Sequence, residues 1–337
     1  MLNINKELSG VKAGSATVFA GLAVFPLIRK GQVERDYLTL GEAFAKEGVE
    51  ITEVSEGGSV PELKLKNKLG QDVFAADGEA LLGAKQNRVL NTSIFVNAKS
   101  EIIVPVSCVE QGRWRYRNRD FRASEHSEFL SSRAAKMESV ANCLKATGTD
   151  RYSDQGAVWR EVAAKQRDFA AFSPTSSMDD AYEARRPRLD QYVESIPVQA
   201  GQIGIAAVIN GKVAGLELFE DESVYRQYAP KLIRAYASEI LGRDTMASSV
   251  PDRFEVRHLL RKMAESEVDA YPAVGNGTEL RFKMKGLNGS ALVARERLLH
   301  VVLLATKKGP RSRIGYGPVA QGTLPGHFGP SRQPGSN

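Results

Sequence analysis

The sequence predicts an α+β fold, mainly antiparallel β-structure with an inserted helical segment. Three observations carry that expectation. From residue 15 to 120, short apolar runs are bounded by Gly, Asn, Asp and Lys, the pattern of strands joined by turns. From 124 to 195 the apolar residues recur at spacings of three and four, the helical period. From 200 to 306, apolar runs return in pairs with hairpin turn residues between them. All three stretches fit one domain over residues 1–306, a length that supplies ample apolar surface for a core. Residues 307–337 are dominated by Gly, Pro, Ser, Arg and Lys. They are expected to form a disordered tail, dispensable for folding, because they bury too little to offset ordering entropy.

Taken in order, the apolar run Ala16 to Ile28 is too short to span a bilayer and contains Pro26. Arg29-Lys30-Gly31 follows it instead of a small-residue cleavage site, so it reads as a strand and a turn. A helix is expected from Leu40 to Glu47, opened by Thr39 and closed near Gly48. Leu63 to Asn67 and Glu101 to Val106 read as strands. Leu130, Ala134, Met137, Ala141 and Leu144 mark one helix, and Val158 to Phe172 a second. A third begins near Pro187, where a first-turn proline is tolerated. Ile203 to Ile209 and Val213 to Phe219 form a hairpin through Asn210-Gly211, a type I′ signal. A helix from Ser223 to Leu241 follows, with Pro230 kinking or restarting it. Ser290 to Val293 and Leu298 to Leu303 repeat the hairpin through Ala294 to Arg297. Val274 to Thr278 is a hairpin turn, since it lacks the lysine-serine ending of a P-loop and the third glycine of a dinucleotide motif.

Composition bounds the chemistry. Hydrophobic residues make up 42% and charged residues 26%, ordinary values for a soluble globular chain. The 46 basic and 40 acidic side chains leave a charge of +6, which admits a phosphate-bearing partner without requiring nucleic acid. Cys108 and Cys143 give neither a disulfide framework nor metal-ligand spacing, so a reducing cytoplasm is the expected location. His126, His258, His300 and His327 form no HxxxH or HxH arrangement, so no zinc site and no cofactor are assigned. Magnesium stays open, because it needs only one or two carboxylates plus substrate phosphates. No membrane span is expected.

The segment Asp77 to Thr92 concentrates the polar chemistry, lying between the apolar runs Val73 to Ala76 and Ser93 to Val96. In extended backbone Asp77 and Glu79 would share a face, roughly 6.6 Å apart. One carboxylate could then raise the pKa of the other and prepare a general acid or base. Lys85 and Arg88 would hold an anion, and Gln86, Asn87 and Asn91 would orient hydroxyl or amide groups. The alternative is a polar hairpin whose charges are solvated or paired with Lys85 and Arg88. Strand alternation places Glu110 at the end of an apolar face, aimed at the same cavity as Glu79 or paired with a downstream arginine. Cys108 on that face reads as a small core residue, with no histidine nearby to activate it. Period two puts Arg113, Arg115, Arg117 and Arg119 on one side of a strand and Trp114 and Tyr116 on the other. That suits phosphates and base stacking, or a charge-guarded edge strand with its aromatics in the core. His300 reads as a satisfied core histidine.

Asp77 to Ser93 together with Ile103 to Trp114 resembles the ARG and rhodanese-phosphatase-superfamily-associated protein domain family. The likeness extends through Tyr37 to Leu40, Val49 to Val54, Gly58 to Leu63, Phe219 to Asp221 and Pro230 to Ala237, and covers most of the chain up to about residue 305. With ARG standing for ADP-ribosyl glycohydrolase, the resemblance implies neighbours that process ADP-ribose and phosphate groups, and supplies no reaction.

Three functional expectations follow. The first is binding and hydrolysis of a nucleotide-derived ligand, an ADP-ribosyl or phosphorylated species. Glu79 would be acid or base, tuned by Asp77 or Glu110, and Lys85, Arg88 and Arg113 would be anion holders. Glu79 should then lie within reach of Lys85, Arg88 or Arg113 around one pocket. The second is a non-catalytic module that senses a nucleotide or docks on a partner enzyme of that metabolism. The third, ranked last because the charge excess is small, is RNA or DNA binding through the arginine strip and the basic tail.

Overall fold

Alternation sets the first sheet. Strands β1 (Val11–Ala13), β2 (Thr17–Phe19) and β3 (Leu22–Arg29) open the chain. Leu22 and Val24 enter one apolar cluster, while Ala23, Phe25 and Leu27 enter another. Both faces of β3 are therefore covered, which explains its unbroken apolar sequence. The run Ala16 to Ile28 is thus two strands, not one. They are joined by a tight turn at Ala20-Gly21 (φ 41° and 87°) whose apolar alanine hid it. The computed structural model describes residues 7–8, 10–31, 33–241 and 253–306. The expected tail, 307–337, lies outside the described residues.

β4 (Tyr37–Thr39) runs straight into helix α1 (Leu40–Ala45). The Thr39 hydroxyl accepts from the Glu42 N–H, and the Glu42 carboxylate accepts from the Thr39 N–H, a reciprocal cap that begins the helix where the sequence places it. Strands β5 (Val49–Glu53), β6 (Glu62–Asn67), β7 (Asp72–Ala75), β8 (Glu79–Gly83), β9 (Arg88–Leu90), β10 (Ile94–Val96), β11 (Glu101–Cys108) and β12 (Phe121–Ser127) follow. They form a six-stranded sheet, β12-β8-β9-β11-β6-β5, and a three-stranded one, β10-β7-β4. Pairing is antiparallel except between β4 and β7. The apolar cluster between these two sheets includes Ile51, Leu65, Val73, Leu81 and Ile94.

Residues 124–127, expected in the helical segment, complete β12 instead; their polar composition masked an alternating strand. The helices are α2 (Leu130–Thr147), α3 (Gln155–Asp168), α4 (Met178–Glu183) and α5 (Arg186–Ser195). Helix α3 starts three residues earlier than the apolar period indicates, because Asp154 caps the Ala157 N–H at 2.9 Å.

β13 (Gln202–Ile209) and β14 (Lys212–Phe219) form the expected hairpin, with Asn210 and Gly211 both at positive φ. Helix α6 (Glu222–Ala237) contains Pro230 without restarting. The sequence reading assigned no element to α7 (Arg253–Ala264), although Val256, Leu259, Leu260 and Met263 recur at helical spacing and are buried. β15 (Val268–Pro272), β16 (Thr278–Met284), β17 (Leu287–Ala294) and β18 (Arg297–Ala305) complete a nine-stranded antiparallel sheet. Its order is β1-β3-β13-β14-β18-β17-β16-β15, with β2 on β3. The last hairpin turns through Arg295 and Glu296, which take the left-handed conformation without glycine. The largest core lies where this sheet's Val24, Ile205 and Val302 meet Met137, Val162, Tyr182 and Tyr228 of the helices and Phe74 and Phe95 of the three-stranded sheet.

Candidate functional site

The polar segment from Asp77 to Thr92 is a hairpin inside the six-stranded sheet, not a connection lying over it. Strands β8 and β9 pair directly, and residues 84–87 make the turn. Asp77, Glu79, Gln86, Asn87, Arg88 and Asn91 are all buried, and Lys85 is only 9% exposed. Charges in such a place require partners.

Asp77 and Glu79 do not act on a common face. Gly78 takes φ 76°, so Asp77 sits in a turn and the strand starts only at Glu79. The Asp77 carboxylate accepts from Arg133 Nε at 3.0 Å and lies 2.9 Å from Lys136 Nζ. Glu79 accepts from the Tyr228 hydroxyl at 2.8 Å and from Lys231 Nζ at 3.3 Å. Glu79 is thus directed to α6, and Lys85, Arg88 and Arg113 are not its partners. The expected shared pocket is replaced by separate ion pairs.

Asp77 belongs to a closed buried circuit. Arg133 donates from both terminal nitrogens to Glu217, at 2.9 and 2.8 Å. Glu217 meets His300 Nε2 at 2.9 Å, and His300 Nδ1 meets Ser93 Oγ at 2.7 Å. Ser93 Oγ in turn accepts from the Asp77 N–H at 3.0 Å. Lys136 also lies 2.6 Å from Glu128, whose other oxygen accepts from Ser132 Oγ at 2.7 Å. The circuit ties the hairpin to α2 and to the nine-stranded sheet. His300 is, as expected, a satisfied core histidine. Sequence reasoning missed Arg133, Lys136, Glu128 and Glu217. The available signal was that Arg133 and Lys136 flank Ala134 and Met137, on the stripe that α2 buries.

This circuit has a pH signature. Burial by itself raises the Asp77 carboxyl, but the charges of Lys136 and Arg133 overcome it and hold the group at about 2. An unfolded aspartate titrates near ~3.9, so the folded form binds this proton less readily. The stability Asp77 contributes is therefore present above about pH 4 and lost as pH falls towards 2. Burial pushes Glu128 in the opposite direction, upwards. Urea unfolding across about pH 5 to pH 2.5 is expected to show a steep loss of stability that Asp77→Asn flattens; an unchanged slope would remove Asp77 from the circuit.

The second half of the segment forms a different structure, centred on Glu110 and Arg113. Arg113 donates Nε and Nη2 to the two Glu110 oxygens at 2.9 and 2.7 Å. Its remaining donors reach the carbonyls of Gly83 at 3.2 Å, Ala84 at 2.5 Å and Arg115 at 3.0 Å, and Asn87 Oδ1 at 3.2 Å. Glu110 also accepts from Thr175 Oγ1 at 2.7 Å and from the Asn87 N–H at 3.0 Å. Glu110 thus pairs with the downstream arginine. Gly83, at φ 140°, lets the end of the arginine loop pass close to β8, because a side chain there would collide with the Asp120 carbonyl.

Arg88 donates to Gln86 Oε1 at 3.1 Å and lies 3.8 Å from Glu53, beneath the ring of Trp114 at 5.7 Å. Asn91 donates to the Arg151 carbonyl at 2.9 Å and accepts from Ser107 Oγ at 2.6 Å. Cys108 donates to Gln86 Oε1 at 3.0 Å, and burial raises its thiol pKa, the opposite of what a nucleophile needs. Among the described residues no group of three or more His, Cys, Asp or Glu is placed to hold a metal ion.

The arginine strip is not a strand. Residues 113–120 form a loop of bends between β11 and β12. Only Arg113 points inward; Arg115, Arg117 and Arg119 are exposed. Trp114 and Tyr116, expected in a core or on the far side of a strand, are 45% and 47% exposed. Both rings stack on Lys85, whose ammonium lies 5.3 and 5.1 Å from their centres while donating to the Glu56 and Gly57 carbonyls at 2.5 and 2.7 Å. The period-two reading failed because Arg113 draws the backbone down onto the β8–β9 turn.

The profile of the family described as the ARG and Rhodanese-Phosphatase-superfamily-associated Protein domain matches residues 10–304. The chain belongs to that family. The match takes in the hairpin, the Glu110–Arg113 clamp, the arginine loop and the helix that supplies Arg133 and Lys136. No curated protein and no solved structure matches the chain. Among the described residues no helix of this family member is long and apolar enough to cross a membrane.

Proposed function

We propose that the protein is a partner-docking module with no chemistry of its own, and that its interaction element is the loop from Trp114 to Arg119. One observation carries this reading: each carboxylate of the polar segment is buried against internal cations, and the Arg113 side chain directs four of its six hydrogen bonds to backbone carbonyls or to Asn87. That is the bonding of a mount, built to hold a loop in shape. What the mount displays is tryptophan, tyrosine and arginine, the residue types that dominate binding energy in protein interfaces. Functional loops are commonly carried by rigid scaffolds in this way.

The family description supports a role beside other proteins, those of the rhodanese-phosphatase superfamily. Reading ARG as ADP-ribosyl glycohydrolase makes the partner an enzyme of ADP-ribose or phosphate metabolism. Two unpaired, buried cysteines are compatible with a cytoplasmic setting.

The competing reading is hydrolysis of a nucleotide-derived ligand with Glu79 as acid or base. The two are separated by incubating the protein with ADP-ribosylated and phosphorylated compounds and analysing the products by chromatography. Recovery of every compound intact, by wild type and Glu79→Gln alike, is expected. Cleavage by wild type that disappears in Glu79→Gln would overturn the docking proposal.

A further inference from the structure

Several arginines at the surface elsewhere on this molecule are neutralised by carboxylates. Arg186 is held by Glu183 and Glu125, Arg226 by Glu222, and Arg295 and Arg297 by Asp36. The segment after Arg113 gathers several arginines that are not. Arg115, Arg117, Arg119 and Arg122 are exposed, and among the described residues none has a carboxylate partner. The one acidic residue between them, Asp120, is also exposed and paired with none of them. Four guanidinium groups therefore stand with their charge unmatched, beside two half-exposed aromatic rings.

The loop that carries the first three of these arginines is ordered from below; Arg122 follows in β12. The Arg117 N–H donates to the Ala84 carbonyl at 3.1 Å, and the Gly112 N–H to the Thr175 carbonyl at 2.8 Å. Arg113 fixes the carbonyl of Arg115. A surface whose backbone is already fixed loses little entropy on binding, which favours affinity.

We infer that the loop docks an acidic, carboxylate-rich segment of a protein partner. This rests on the docking reading above and names the partner's chemistry. Guanidinium groups pair with carboxylates through two parallel hydrogen bonds, and the rings of Trp114 and Tyr116 provide the apolar anchor beside them. Single-stranded nucleic acid fits less well. Its bases stack on successive aromatic platforms along a track, whereas Trp114 and Tyr116 converge on a single ammonium, that of Lys85, within 5.3 and 5.1 Å.

The test is fluorescence anisotropy with three labelled probes: a peptide alternating glutamate and leucine, its lysine counterpart, and oligouridine. Wild type is compared with the triple variant Arg115→Glu, Arg117→Glu, Arg119→Glu, all exposed positions, with its melting curve confirming the fold. The glutamate peptide is expected to bind wild type, to weaken as salt rises, and to lose at least about tenfold in affinity in the triple variant. Trp114→Ala should weaken it as well, with no change in salt dependence. Absent binding of the glutamate peptide, or equal binding by the triple variant, overturns the inference. Preferential binding of oligouridine overturns the partner class while leaving the loop as the docking element. The docking reading itself stands or falls on the product analysis, so the two failures are distinguishable.

Discussion

Arg133→Met is expected to leave the protein largely unfolded under conditions in which the wild type is folded. Arg133 is buried and is the sole residue of the circuit that bonds both Asp77 and Glu217. Its removal strands two buried carboxylates, and breaking one buried pair by deleting a partner costs about 3–5 kcal/mol. Lys136 still serves Asp77 and His300 still serves Glu217, so the losses will not simply double. Even one such loss is a large part of a typical total of ~5–15 kcal/mol. Urea titration followed by circular dichroism measures it. Adding Glu217→Gln to Arg133→Met should recover part of the loss, since the amide retains hydrogen-bonding capacity without a stranded charge. A shift under about 1 kcal/mol for Arg133→Met alone would show that the circuit is not what holds the hairpin to the nine-stranded sheet.

The second large effect is local as well as global. Arg113→Ala leaves Glu110 buried with only Thr175 and the Asn87 N–H, again at a cost of about 3–5 kcal/mol. It also frees the carbonyls of Gly83, Ala84 and Arg115 that held the loop down. Hydrogen exchange should then show the Gly112 and Arg117 amides losing protection well beyond that expected from the fall in global stability. Arg113→Lys should not rescue it. A single ammonium cannot engage both Glu110 oxygens and the surrounding carbonyls with the planar fork that arginine supplies. Full protection of those amides in Arg113→Ala would refute the mount.

Much of the fold was legible because its signals are local. The Thr39 cap, the Asn210-Gly211 turn and the periodicity of α2 each depend on residues a few positions apart. Three of the errors share one cause. Ala20-Gly21, residues 124–127 and Arg253 to Ala264 were misread or missed where apolar content and local period diverge: an apolar turn, a polar strand, and a helix whose charged face obscures its stripe.

The chemistry of the candidate residues divides differently. Sequence alone determined that Asp77 to Thr92 is unusually polar between apolar strands, that Glu110 and Arg113 stand a few residues apart, and that arginines and aromatics alternate after them. Only the tertiary structure decided which charges meet. Asp77 finds Arg133 across 56 residues, Arg133 finds Glu217 across 84, and Glu79 finds Tyr228 across 149. No short-range pattern encodes such pairings, because the requirement that a buried charge be compensated is met by whichever opposite charge the fold brings near. The same physics turned a segment that reads as an open site into an internal mount, and left the arginines outside it as the exposed face.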